Sequence, residues 1–100
     1  MTLEFTQAAL SDLRAIRDYT LARWGEDQEQ AYLGELWTKF EQILSDPGRW
    51  RFRPDLFPEC QIAAHKKHVV LFRIRGTTLQ VVRILHGAMD LPRHVPDDLD

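Results

Sequence analysis

Cysteine is nearly absent. Cys60 stands alone among 100 residues, so no internal disulfide framework holds this chain together, which suits a reducing cytoplasm. No apolar run approaches the roughly 20 residues that span a bilayer. The N-terminal Met1-Thr2-Leu3-Glu4-Phe5 also lacks the basic and long apolar regions of a signal peptide. A soluble, cytoplasmic protein with no membrane contact is expected. There is no glycine-rich phosphate loop and no serine or cysteine nucleophile beside a convincing base, so no cofactor is expected. Cys60, His65, His68, His86 and His94 follow no recognised ligand spacing, and no metal is expected either. Excess positive charge is missing too. With 13 basic and 15 acidic residues the net charge is -2, which argues against direct nucleic-acid binding by bulk electrostatics.

What is present is the composition of one globular domain over residues 1–100, with 44% hydrophobic and 28% charged residues. Its charge is segregated. Residues 1–48 hold four basic against nine acidic side chains, residues 49–94 hold nine against three, and the tail adds Asp97, Asp98 and Asp100. An acidic half joined to a basic one fits either a face that meets an acidic partner or a mixed, solvated surface.

Along the chain, Thr2 to Phe5 alternates as a short strand, and the hydroxyl of Thr6 is placed to cap a helix. Leu10, Leu13, Ile16, Thr20 and Trp24 then recur at helical spacing until Gly25 ends the run. Glu26, Asp27 and Glu29 open a second helix, with Asp27 as its expected cap. Its stripe is Leu33, Leu36, Trp37, Phe40, Ile43 and Leu44, stopped by Ser45-Asp46-Pro47-Gly48. So short a link makes the pair an antiparallel hairpin. Arg49 to Pro54 alternates cations with aromatics and reads as a basic loop. Its Trp50 and Phe52 either pack on the helix ends or stack bases.

Residues 60–64, 68–75 and 78–85 read as three strands of an antiparallel meander turning at Gly76-Thr77. That turn sets Ile74 opposite Leu79, Phe72 opposite Val81 and Val70 opposite Arg83, an apolar face for the helices. The other face then shows Val69, Leu71, Arg73, Val82, Ile84 and His86, an open apolar surface suited to a partner. The last strand carries Arg83 and runs into a loop holding His86, Met89, Asp90, Arg93 and His94. Arg83 either pairs with a carboxylate such as Asp90 or contacts a target, and His86 is either a hydrogen-bonded strand end or a functional group.

The order and spacing of Phe5 to Leu13, Tyr19, Trp24-Gly25, His68 to Arg73 and above all Val82-Arg83-Ile84-Leu85-His86-Gly87-Ala88-Met89-Asp90 resemble the ParE-like branch of the RelE/ParE superfamily, the toxins of type II toxin-antitoxin systems. The resemblance covers nearly the whole chain. It implies an α+β fold in which a short N-terminal strand and an antiparallel helix hairpin pack on a small antiparallel sheet with a C-terminal three-stranded meander. It also implies a toxin neutralised by a cognate antitoxin, ParD-like or related, in a hetero-oligomer. ParE-like members inhibit DNA gyrase by binding, whereas RelE-like members cleave messenger RNA on the ribosome.

A binding toxin would use Arg83, His86, Met89, Asp90 and Arg93 against its target, and Trp24, Trp37, Val69, Leu71, Arg73 and Ile84 against its antitoxin. A ribonuclease would need His86, Arg83, Arg73 and Lys66 to move protons and stabilise the phosphate. Ala88 and Met89 stand where such an enzyme wants basic and aromatic residues, and Phe72 stands where many relatives have tyrosine. Gyrase inhibition is therefore the favoured expectation, with the ribonuclease and a non-toxic antitoxin-binding module as alternatives.

Overall fold

The computed structural model describes residues 1–95. The acidic tail lies outside them. The chain order is β1 (Thr2–Phe5), α1 (Gln7–Trp24), α2 (Glu26–Ser45), a 3-10 turn (Pro47–Arg49), β2 (Arg51–Phe52), β3 (Gln61–His65), β4 (His68–Arg75), β5 (Thr78–His86) and a second 3-10 turn (Leu91–His94). The strands form one sheet in the order β1-β5-β4-β3-β2. Among the described residues no helix is long and apolar enough to cross a membrane.

Thr6 joins helix to sheet. Its Oγ1 accepts from Ala9 N at 3.0 Å, capping α1, and donates to Val82 O at 2.6 Å, so the first turn of α1 is anchored to β5. Gly25 alone separates the helices. At φ 91° it adopts a backbone that side-chain-bearing residues rarely take, its N–H closes α1 on Leu21 O and its carbonyl opens α2 by accepting from Glu29 N. The cap of α2 is thus Gly25 rather than Asp27, which sits inside the first turn with Glu26 and Glu29. There the carboxylates act on the helix dipole.

The sheet is mixed rather than antiparallel throughout. β1 runs parallel to β5, pairing Thr2 with Thr78 and Phe5 with Val81, because the helix hairpin returns the chain to the same end before β5 begins. The expected basic loop is also partly regular. Arg51 and Phe52 pair with Ile62 and Gln61 as an edge strand, and buried Gln61 donates to Pro47 O (2.6 Å) and Trp50 O (3.2 Å), holding the preceding turn. Trp50 packs on the helix-side core, whereas Phe52 is exposed.

Register follows the expected hairpin only as far as Phe72. Ile74 pairs with Leu79 and Phe72 with Val81, but a bulge shifts the rest, so Leu71 meets Arg83 and Val70 meets Ile84. One extra residue on β5 reverses which side chains face the helices beyond it. Ile84 therefore enters the helix-side core with Phe40, Ile43, Val70, Phe72 and Val81.

The expected open face is closed. Leu71 and Val82 are fully buried on the far side of the sheet beneath Leu56, Phe57 and Cys60, with Leu91 and Val95 packed at the margin. The 53–60 segment forms this cover because it is tied to itself. Arg53 N donates to Cys60 O at 2.8 Å, Cys60 N to Phe57 O at 3.1 Å, and the Arg53 guanidinium grips both oxygens of Asp55 at 2.8 and 2.9 Å. Burial pushes the Cys60 thiol up to about 12, so it remains protonated and unreactive.

Candidate functional site

A groove of about 660 Å³ opens between the C-terminal half of α1, the first turns of α2 and the ends of β4 and β5. Its outer end is aromatic. Tyr19 and Trp24 are 64% and 63% exposed, and the Arg23 guanidinium lies 5.5 Å from the Trp24 ring. Its inner end is formed where the β3–β4 turn and the end of β5 meet α2.

At that inner end β4 and β5 place His68 directly across from His86, with ring centroids 5.8 Å apart. The Tyr32 hydroxyl reaches from α2 to His68 Nδ1 at 2.5 Å. Burial, then repulsion from Glu35, holds the Tyr32 phenol above its usual range, so it remains neutral. Burial, then the nearby His86 and His65 rings, pushes His68 below the ordinary imidazole value. His86 Nδ1 accepts from Ala88 N at 3.2 Å, which leaves Nε2 to carry the neutral ring's proton.

The two-residue turn Lys66-Lys67 brings charge to the same end. Lys66 takes φ 52°, rare for a residue with a side chain, and its Nζ lies 2.8 Å from Glu35 Oε1. His65 Nε2 reaches the same oxygen at 2.9 Å, so Lys66 first and His65 second hold the Glu35 carboxyl below its usual range. The Lys67 carbonyl accepts from Gly87 N at 2.7 Å, which fixes the turn against the loop after β5.

Arg83 is fully engaged. Its Nε and Nη2 each lie 2.8 Å from an oxygen of Asp12 on α1, its Nη1 donates to His94 O, and Asp12 Oδ2 also accepts from Ile84 N at 2.9 Å. This fork raises the guanidinium pKa further. Asp12, not Asp90, is therefore the partner of Arg83. Asp90 instead pairs with exposed Arg93 at 3.2 Å.

Of the residues expected to meet a target, Arg83, His86 and Met89 line the groove, while Asp90 and Arg93 lie beyond it. Of those expected to meet an antitoxin, Trp24 and Ile84 line it, although Ile84 is buried. Trp37 is half exposed and stacks on Phe5 at 6.2 Å, away from the groove. Leu71 and Arg73 are buried on the opposite face and half-buried Val69 packs there too, so these three do not form the open surface expected of them. Arg73 donates to Gln80 Oε1 at 2.8 Å, and Gln80 in turn to Glu4 at 2.8 Å. The ribonuclease set is thereby divided. His86, Arg83 and Lys66 share the groove, but Arg73 is on the other side of the sheet, and Arg83 and Lys66 already hold carboxylates.

Asp12, Tyr32, Glu35 and His65 were not expected at the site. Tyr32 lies one turn before Leu36 in the apolar stripe of α2, a periodic signal that was legible, whereas Asp12 and Glu35 look like any exposed helix carboxylate until α1 and α2 dock. Among the described residues no group of three histidine, cysteine or carboxylate side chains is arranged to hold a metal ion.

Residues 3–91 match the family model of the ParE toxin of type II toxin-antitoxin systems, parDE. The chain belongs to the ParE toxin family. It is 34% identical over 89 residues to Toxin ParE1 of Mycobacterium tuberculosis, spanning 88% of this chain and 91% of that one. Toxin ParE of Escherichia coli is 34% identical over 95 residues, spanning 94% and 92%. Toxin ParE1 of Caulobacter vibrioides is 31% identical over 90 residues, spanning 90% and 93%. The fold is shared with a chain of the chromosomal ParDE system of P. aeruginosa, at TM-score 0.75 and 22% identity over 86% of this chain and 95% of that one. It is shared less closely with a chain of the RelBE2 toxin-antitoxin complex of M. tuberculosis, at TM-score 0.60 and 24% identity over 88% and 92%. As a family member, this α+β chain is the toxin of a type II pair.

Proposed function

We propose that this ParE-family toxin acts in the bacterial cytoplasm by binding DNA gyrase, and that a cognate antitoxin neutralises it by lying in the groove beside Tyr19 and Trp24. The observation that carries this reading over RNA cleavage is that the three cations expected of a ribonuclease are paired or placed elsewhere. Arg83 is bound to Asp12 and Lys66 to Glu35, so neither is free to stabilise a phosphorane, while Arg73 lies across the sheet. An open groove with exposed aromatic rings at one end suits a protein segment instead.

The test is expression without antitoxin, followed by separate readouts of DNA damage signalling and messenger RNA cleavage, together with a supercoiling assay using purified gyrase. DNA damage signalling and lost supercoiling are the expected results. Translational arrest with cut messenger RNA would transfer the assignment to ribosome-dependent cleavage, and normal growth at high soluble expression would make the chain a non-toxic antitoxin-binding module.

A further inference from the structure

The inner end of the groove is rich in N–H donors and poor in acceptors. Among the described residues the one carboxylate in the groove wall, Asp12, is taken by Arg83 and by Ile84 N. Glu35, behind it, is taken by His65 and Lys66. Among the described residues Lys67 forms no ion pair, although it lines the groove next to His68. Ala88 N donates to His86 Nδ1, so the proton of that neutral ring resides on Nε2, while His68 Nδ1 shares a hydrogen bond with the Tyr32 hydroxyl. Two imidazole rings 5.8 Å apart and a lysine thus line one end of the groove, and among the described residues no unpaired carboxylate lines it with them.

The remainder of the groove indicates what kind of molecule brings the anion. It continues past apolar Ile16 to the exposed rings of Tyr19 and Trp24, a strip suited to an amphipathic peptide. The charge is complementary as well, since residues 49–94, which supply the inner end, carry nine basic against three acidic side chains.

We propose that His68, His86 and Lys67 form a carboxylate receptor that seats an aspartate or glutamate of the antitoxin segment lying along Tyr19 and Trp24, and that seating it draws a proton onto the imidazole pair. The proposal rests on the antitoxin reading given above. The groups facing the pair are Tyr32 and Glu35 from α2, His65, Lys66 and Lys67 from the β3–β4 end, Arg83 from β5, and Asp12 and Arg23 from α1. Because Asp12 and Glu35 are already paired, an arriving carboxylate meets no competing unpaired carboxylate among the described residues that line the groove. It favours the imidazolium, so the complex binds more protons than the free toxin and affinity rises as pH falls. Below the pH at which the free rings are themselves protonated, the gain levels off.

Calorimetric titration of the purified chain with its full-length cognate antitoxin, at pH 6, 7 and 8 in buffers of differing ionisation enthalpy, tests this. Net proton uptake is expected, with affinity about tenfold higher at pH 6 than at pH 8, a change equivalent to one pKa unit. The slope should flatten in His86→Gln and in the His68→Gln/His86→Gln double variant. Lys67→Met should weaken binding at every pH without altering the slope. Imidazole NMR provides a second readout that needs no variant, because the His68 ring should titrate at higher pH in the complex than in the free chain. Tight binding with no proton uptake and no effect of His86→Gln would overturn the receptor and leave the antitoxin reading standing. Absence of any binding would overturn both.

Discussion

Arg83 and His86, neighbours on the last strand, have different tasks. The Arg83 guanidinium, about one-fifth exposed, lies between Asp12 of α1 and the carbonyl of His94, so it ties helix, strand and C-terminal turn together. Removing one member of such a part-buried fork strands the other and costs about 2–3 kcal/mol. Asp12→Asn and Arg83→Ala should each lower the melting temperature by roughly 10 °C or more for a domain of this size. In urea unfolding the double variant should lose clearly less than the sum of the two, with a coupling of about 1–3 kcal/mol. Strict additivity would show that the pair is not a unit. Loss of toxicity in Arg83→Ala therefore has to be read against stability, whereas His86, exposed and with one ring nitrogen uncommitted, is the better probe of binding.

At the scale of elements, α2 is fastened to the β3–β4 hairpin by two polar links whose response to pH differs. Tyr32 bonds His68, and Glu35 holds His65 and Lys66. Burial lowers the His68 pKa in the folded chain, so between that value and the unfolded one the unfolded chain binds more protons. Stability should then fall as pH drops below about 6.5, the ordinary imidazole value, and this part of the loss should vanish in His68→Gln. The Glu35 carboxyl is lowered by Lys66 and His65, so its contribution is present above the unfolded carboxylate value and is lost as pH falls through the folded one. Glu35→Gln should flatten only that more acidic limb. Melting curves from pH 8 to pH 3 separate the two, and a His68→Gln profile parallel to the parent near pH 6 would refute the first.

Across the whole molecule the sheet is covered on both faces, by the helix hairpin on one and by the 53–60 segment with the C-terminal turn on the other. The groove belongs to the helix side alone. Phe57 is 4% exposed within the far core, so Phe57→Ala should destabilise the chain by about 3–5 kcal/mol, measured by denaturant unfolding. At temperatures well below its melting point the variant should still bind antitoxin, since nothing in the groove changes. Lost antitoxin binding in a folded Phe57→Ala chain would place part of the interface on the far face.

Both helices, the three long strands, the Thr6 cap and the turn near Gly76-Thr77 were legible because local chemistry sets them. Apolar spacing, capping hydroxyls and turn residues act over a few positions, and the hairpin register held from Thr78 to Val81 for the same reason. The short edge strand Arg51–Phe52 was hidden, since two residues carry no period and form a strand only because β3 is there to pair with. The bulge after Val81 has no sequence signature either, yet it moves Ile84 to the helix side. Long-range charge pairing was equally hidden. Asp12 and Arg83 are 71 positions apart, and nothing local distinguishes Asp12 from Asp18, the other acid of α1. The sequence by itself thus determined the elements and the candidate strand end, through interactions spanning a few residues. Only the tertiary structure decided which carboxylate each cation holds, which sheet face is covered and where the groove lies, because burial, pairing and register depend on elements brought together from opposite ends of the chain.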